Sequence, residues 1–103
     1  MTVKKFNKLV RDKIPKIIKE EGKVCKYRIA DPEEYRQKLK EKLLEESQEF
    51  FENPCVEEFA DIQEVMDALR KEYSLTGVKA HKKYKKIVRG SFSKKIVLEE
   101  ISE

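Results

Sequence analysis

Glu45-Glu46-Ser47-Gln48-Glu49-Phe50-Phe51-Glu52-Asn53-Pro54-Cys55-Val56-Glu57-Glu58-Phe59-Ala60-Asp61 carries two acidic motifs on either side of a helix-breaking pair, Asn53-Pro54. If the flanking segments are antiparallel helices that fold back at this break, Glu49 comes level with Glu58 and Glu46 with Asp61, because each pair is equidistant from the turn. Four carboxylates then converge on one small volume. Such a cluster repels itself unless it is protonated or holds a cation, and hard divalent ions such as Mg²⁺ prefer all-oxygen surroundings.

In a chain that is 43% charged, Glu-x-x-Glu spacings also arise by chance on solvated faces, so helical phase has to decide. Leu39, Leu43 and Phe50 recur at helical spacing, and Glu46 falls inside their stripe, which turns it inward. On the second segment Phe59, Ile62, Met66, Leu69 and Tyr73 form the expected buried stripe, bordered by Glu58 and Asp61. With no cationic residue evident in these stripes, a bound metal is the simplest counter-charge.

A length of 103 residues predicts one domain over 1–103 with a modest core. The net charge of +4 is small beside 24 basic and 20 acidic residues, so charge balance alone does not argue for nucleic acid. Cys25 and Cys55 lack CxxC spacing, no signal-like segment precedes the domain, and no apolar run reaches the roughly 20 residues that a membrane span needs. The chain reads as a soluble cytoplasmic protein with free thiols and no membrane association.

The predicted architecture is mainly α, an antiparallel helical hairpin in a small helical bundle. Asp12 is the expected cap of a short helix through Glu21, with Pro15 in its first turn and Gly22 at its end. Asp31-Pro32-Glu33-Glu34 supplies the cap and first turn of a long helix to about Asn53. A second long helix is expected from about Cys55 to Tyr73, and another from Gly77 to about Val88 with Gly90 as its stop. Val24–Ala30 and Lys95–Ile101 have strand character and could pair as a short two-stranded ribbon.

Asn7-Lys8-Leu9-Val10-Arg11-Asp12-Lys13-Ile14-Pro15, the twin acidic motifs and Arg89-Gly90-Ser91-Phe92 occur in a familiar order. Over nearly its whole length the chain resembles the all-α nucleoside triphosphate pyrophosphatase superfamily, the MazG-like and phosphoribosyl-ATP pyrophosphohydrolase-like proteins. It departs at Ser91, where similar small proteins often have a second glycine.

The resemblance implies Mg²⁺, with Mn²⁺ as a substitute, held by Glu46, Glu49, Glu58 and Asp61, and hydrolysis of a nucleoside triphosphate to monophosphate and pyrophosphate. Glu46 or Glu49 would serve as the base that orients or deprotonates the attacking water, with Glu45 a further candidate. The triphosphate also needs cations, and two groups offer them: Lys8, Arg11 and Lys13 in the amino-terminal block, and Lys83, Lys86 and Arg89 along one side of the last helix. Arg11 and Arg89 suit bidentate phosphate contact best.

Also implied is a homodimer or a tetramer of dimers, with Leu44, Phe51 and Val65, left over from the main stripes, as the place to look for the interface. Phosphoribosyl-ATP pyrophosphohydrolase is the enzymatic alternative. A helical nucleic-acid-binding module using Lys79 to Arg89 is the non-enzymatic one, and it leaves the acidic cluster without a purpose.

Overall fold

In a computed structural model of the chain, which describes residues 2–103, four α-helices follow one another. They are α1 (Ile14–Glu20), α2 (Pro32–Glu52), α3 (Val56–Glu72) and α4 (Val78–Arg89). No strand occurs among the described residues, so the expected ribbon is absent. Its two segments stay exposed, with Val24, Ile29, Ile96, Val97 and Leu98 all open to solvent. Neither segment finds a packed surface, and a two-stranded ribbon is unstable without one.

Local chemistry explains the helix ends. Asp31, in an extended conformation, accepts a 2.8 Å hydrogen bond from the Glu34 backbone N–H, and Pro32 fills the first turn of α2, where a missing N–H costs nothing. We expect Asp31→Ala to lower stability by about 1 kcal/mol, measured as a reduced urea midpoint with an unchanged m-value. The cap of α1 differs from expectation. It is Lys13, in helical backbone geometry and without a side-chain hydrogen bond, rather than Asp12. A turn bond from the Ile14 N–H to the Arg11 carbonyl starts the helix at Ile14, one residue beyond the reach of an Asp12 cap. Gly22 ends it with φ +82°, a left-handed conformation suited to a residue without Cβ.

α2 and α3 form the hairpin, and among the described residues they are the only pair of helices packed on each other. Phe50 and Phe59 meet edge-to-face beside the turn, with ring centroids 5.7 Å apart, and Arg36 pairs with Glu72 at 3.1 Å towards the other end. Both contacts agree with a fold-back at residues 53 and 54 to within a residue or two. Between them lie Leu39, only 2% exposed, and the buried Val65, with half-buried Leu43, Phe50, Ile62, Ala68 and Leu69 around them.

The hairpin buries only one side of the stripe that hydropathy selects on α3, Ile62 and Leu69. Glu58, Asp61, Val65, Leu69 and Glu72 turn towards α2, whereas Phe59, Met66 and Tyr73 are exposed. The expected stripe is thus rotated outward by roughly 80° of helix azimuth, less than a quarter turn. Val65, an expected interface residue, lies instead inside the hairpin.

The amino-terminal block has no regular structure and is strapped across the hairpin by polar bonds. Lys8 bonds Glu45 at 3.2 Å, Arg11 bonds Asp61 at 2.8 Å, and the Asn7 carbonyl accepts from Lys38 at 2.7 Å. α4 stands apart from every other helix. The chain therefore extends over 65 × 30 × 26 Å with a radius of gyration of 19.0 Å, where a compact chain of this length has about 13 Å.

Candidate metal centre

The carboxylates converge because the hairpin register places Glu46, in the fourth turn of α2, opposite Glu58 and Asp61 in the first two turns of α3. One oxygen from each of Glu46, Glu58 and Asp61 lies within 4.8 Å of the others. Glu46 is 7% exposed, while Glu58 and Asp61 are half-buried. The Oε2 atoms of both Glu46 and Glu58 are buried with no hydrogen-bond partner. A buried charged oxygen left without a donor costs several kcal/mol or more unless something compensates it.

The protein itself compensates only part of this charge. Lys42, one turn before Glu46, approaches it at 3.4 Å and Glu45 at 3.8 Å. Arg11 pairs with Asp61 and Lys8 with Glu45. Three cations thus face five carboxylates, Glu45, Glu46, Glu49, Glu58 and Asp61, and two negative charges remain. The expectation of stripes without a cation is corrected here: Lys42 stands at helical spacing from Glu46, a signal legible in the sequence. Arg11 came from the far end of the chain, and nothing local could have paired it with Asp61.

Of the four expected ligands, Glu46, Glu58 and Asp61 come together, and Glu49 stands outside their group, exposed on α2. It lies one turn beyond Glu46, on the edge of the helix rather than its packed face. It still acts on Glu46. Burial first, and the neighbouring Glu49 second, raise the Glu46 carboxyl above its ordinary range, with Lys42 pulling the other way. Of the expected phosphate-binding cations, Lys8 and Arg11 lie against the cluster. Lys13 is exposed at the start of α1, and Lys86 and Arg89 are exposed on α4, away from the carboxylates. Their distance follows from α4 having no packing on the hairpin.

The donor set fits a hard divalent cation. It consists of carboxylate oxygens alone, two of them unsatisfied, on two rigid helices, with residual negative charge.

The raised Glu46 carboxyl has a consequence for stability. A proton binds it more tightly in the folded chain than in the unfolded one, so this contribution is greatest below the ordinary carboxylate range. It is lost as pH rises through the raised folded value. Without divalent ions, the protein should lose thermal stability between mildly acidic and neutral pH, and Glu46→Gln should lose less. Differential scanning fluorimetry at several pH values checks this, and added Mg²⁺ should shrink the difference in the unsubstituted protein, because the ion replaces the proton as counter-charge.

Comparisons with protein-family models, with curated proteins and with solved structures return no significant match. Among the described residues no helix is long and apolar enough to cross a membrane.

Proposed function

We propose that the chain is a Mg²⁺-dependent nucleoside triphosphate pyrophosphohydrolase that cuts between the α and β phosphates, with a house-cleaning role in the nucleotide pool. The observation that carries this reading is the pair of buried, unpartnered oxygens of Glu46 and Glu58 facing Asp61 between two packed helices. The order of the amino-terminal block and the acidic motifs supports it as well. Bound there, Mg²⁺ would neutralise phosphate charge and acidify a water.

The chain's own residues supply the rest. Glu46, Glu58 and Asp61 are the ligands, with Glu49 at their edge. Glu46 and exposed Glu49 are the two candidate bases, and Glu49, standing outside the group of three, is the one left free of the ion to take a proton. Glu45 is engaged by Lys8 and Lys42, which makes it the weakest of the three as a base. In the reaction a water oxygen bonds the α-phosphorus as its proton passes to the base. The bond from that phosphorus to the bridging oxygen breaks, and pyrophosphate leaves with the electron pair.

Arg11 and Lys8 are the nearest phosphate partners. Both are more than half exposed and each is held by one carboxylate, so they can exchange it for a phosphate oxygen at little cost, because an exposed ion pair is worth about 0–1 kcal/mol. Lys13, Lys86 and Arg89 are not adjacent to the carboxylates of the same chain.

A panel of nucleoside triphosphates, including oxidised and deoxy forms and phosphoribosyl-ATP, tests the reading. Each is incubated with Mg²⁺ while pyrophosphate and orthophosphate are measured separately. We expect pyrophosphate release that a chelator stops and Mg²⁺ or Mn²⁺ restores. Orthophosphate as the product, or turnover indifferent to chelation, refutes it.

A further inference from the structure

α4 is divided lengthwise into two faces. At about 100° per residue, Ala80, Tyr84, Ile87 and Val88 share one narrow arc, and Lys79, Lys82, Lys83, Lys85, Lys86 and Arg89 fill most of the rest. The helix has six cations and no acidic residue. Lys83 stands beside Ile87 on one border of the apolar arc, at a spacing of four, and Lys85 beside Val88 on the other, at a spacing of three. Tyr84, Ile87 and Val88 are exposed, and no helix among the described residues packs on α4. Just beyond the Gly90 stop, Phe92 is almost wholly exposed and adds an apolar group at the same end.

Charge is also segregated along the chain. Residues 31–72, which contain the hairpin, hold 14 acidic against 6 basic residues, a net charge of −8. Left-handed backbone at Ser74 (φ +50°) and Gly77 (φ +72°) turns the chain between this acidic body and the basic helix.

We propose that α4 lies on an anionic phospholipid surface, with Tyr84, Ile87 and Val88 sunk between the headgroups and the six cations level with the lipid phosphates. The apolar face is small, so attraction between the cations and anionic headgroups supplies the rest of the binding. Lys83 and Lys85, on the borders, lay their stems along the apolar arc and lift their ammonium groups into the headgroup layer.

The two faces together choose this partner. A polynucleotide would engage the lysines and leave Tyr84, Ile87 and Val88 in water, whereas a protein groove closing around the narrow apolar arc would strip water from Lys83 and Lys85. A flat anionic interface satisfies both faces at once. It also repels the acidic hairpin, which leaves α4 as the side that docks. The expectation of no membrane association came from the lack of a spanning run, and a helix lying on the surface needs none. The inference stands apart from the nucleotide reading, since α4 packs on neither carboxylate-bearing helix.

Co-sedimentation of the full chain with vesicles tests it, using phosphatidylcholine alone or phosphatidylcholine mixed with phosphatidylserine. Hydrogen exchange locates the protected amides, and circular dichroism checks helix content. We expect binding to the mixed vesicles only, weakened by salt, with protection gained over residues 78–89. Lys83→Glu with Lys86→Glu should weaken it about tenfold or more, and Ile87→Ser with Val88→Ser should do so as well, because charge and burial both contribute. Absence of binding, equal binding to both vesicle types, protection confined to the hairpin, or unchanged binding in either folded variant each overturns the proposal. Binding of duplex DNA or RNA that survives Ile87→Ser with Val88→Ser, in a chain that ignores the vesicles, also overturns it and assigns the helix to a polyanion.

Discussion

Glu58→Gln is expected to reduce Mg²⁺-dependent triphosphate turnover on the order of 10³-fold, the scale of losing one preorganised charge-stabilising group. Glu58 lies in the first turn of α3, where the helix dipole favours its negative form, and its Oε2 is buried without a partner. Glutamine keeps the shape of the side chain and removes the charge. The helix should therefore remain intact, and the ion-free protein should become as stable or more stable, because one source of repulsion with Glu46 and Asp61 is gone. In the unsubstituted protein Mg²⁺ should raise the melting temperature, and in the variant that rise should nearly vanish. The two readouts separate the possibilities. Unimpaired turnover in a folded variant removes Glu58 from the chemistry, and an undiminished Mg²⁺ shift removes it from the ion.

Leu39→Ala is the largest expected effect on stability. Among the described residues Leu39 is the most buried hydrophobic one, lodged where α2 meets α3 in the only helix–helix contact. Truncating such a leucine costs about 2–5 kcal/mol through lost transfer energy and the cavity left behind. Small domains have about 5–15 kcal/mol in total, so a large part of the stability goes with it. For about 100 residues each kcal/mol shifts the melting temperature by roughly 4–8 °C, which places the expected drop at about 10 °C or more. Val24→Ala, at a site almost wholly exposed, is the comparison and should change stability by no more than about 0.5 kcal/mol. Equal effects at the two positions would mean that the hairpin contact is not where the fold is held.

The pH response of Glu46 joins these two results. The hairpin contact that buries Leu39 also buries a carboxylate, so folding works against the charge of Glu46 until a proton or a cation compensates it. The stability loss expected at neutral pH and the proposed affinity for a divalent ion have the same origin, which is carboxylates gathered faster than cations.

How much was legible before folding depends on the range of the interaction. Asp31 and Pro32 start α2, Asn53-Pro54 break the chain and Gly90 follows α4, because caps and breakers act over three or four residues. Equidistance from a turn then suffices to bring Glu46 opposite Asp61. Lys42 beside Glu46 was within reach of the same spacing rule.

The rotation of α3 was not. Hydropathy selects Phe59, Ile62, Met66, Leu69 and Tyr73 as its buried face, yet only Ile62 and Leu69 of these are half-buried, and the helix turns Val65, Glu58 and Asp61 towards α2. A helix with apolar groups on more than one side can satisfy only one neighbour within a single chain, and which side that is depends on the shape of the facing helix. The same limit applies to the strand-like segments, whose conformation waits on a partner surface, and to the pairing of Arg11 with Asp61 across 50 residues.

By itself, then, the order of residues determined four helical segments, their ends apart from the start of α1, and the acidic hairpin, since each rests on contacts between near neighbours. Only the tertiary structure decided that Glu49 stands outside the group of three, that Arg11 and Lys8 guard it, and that α4 is left free. Those outcomes depend on the azimuth and distance of groups far apart along the chain, which packing sets and spacing does not encode.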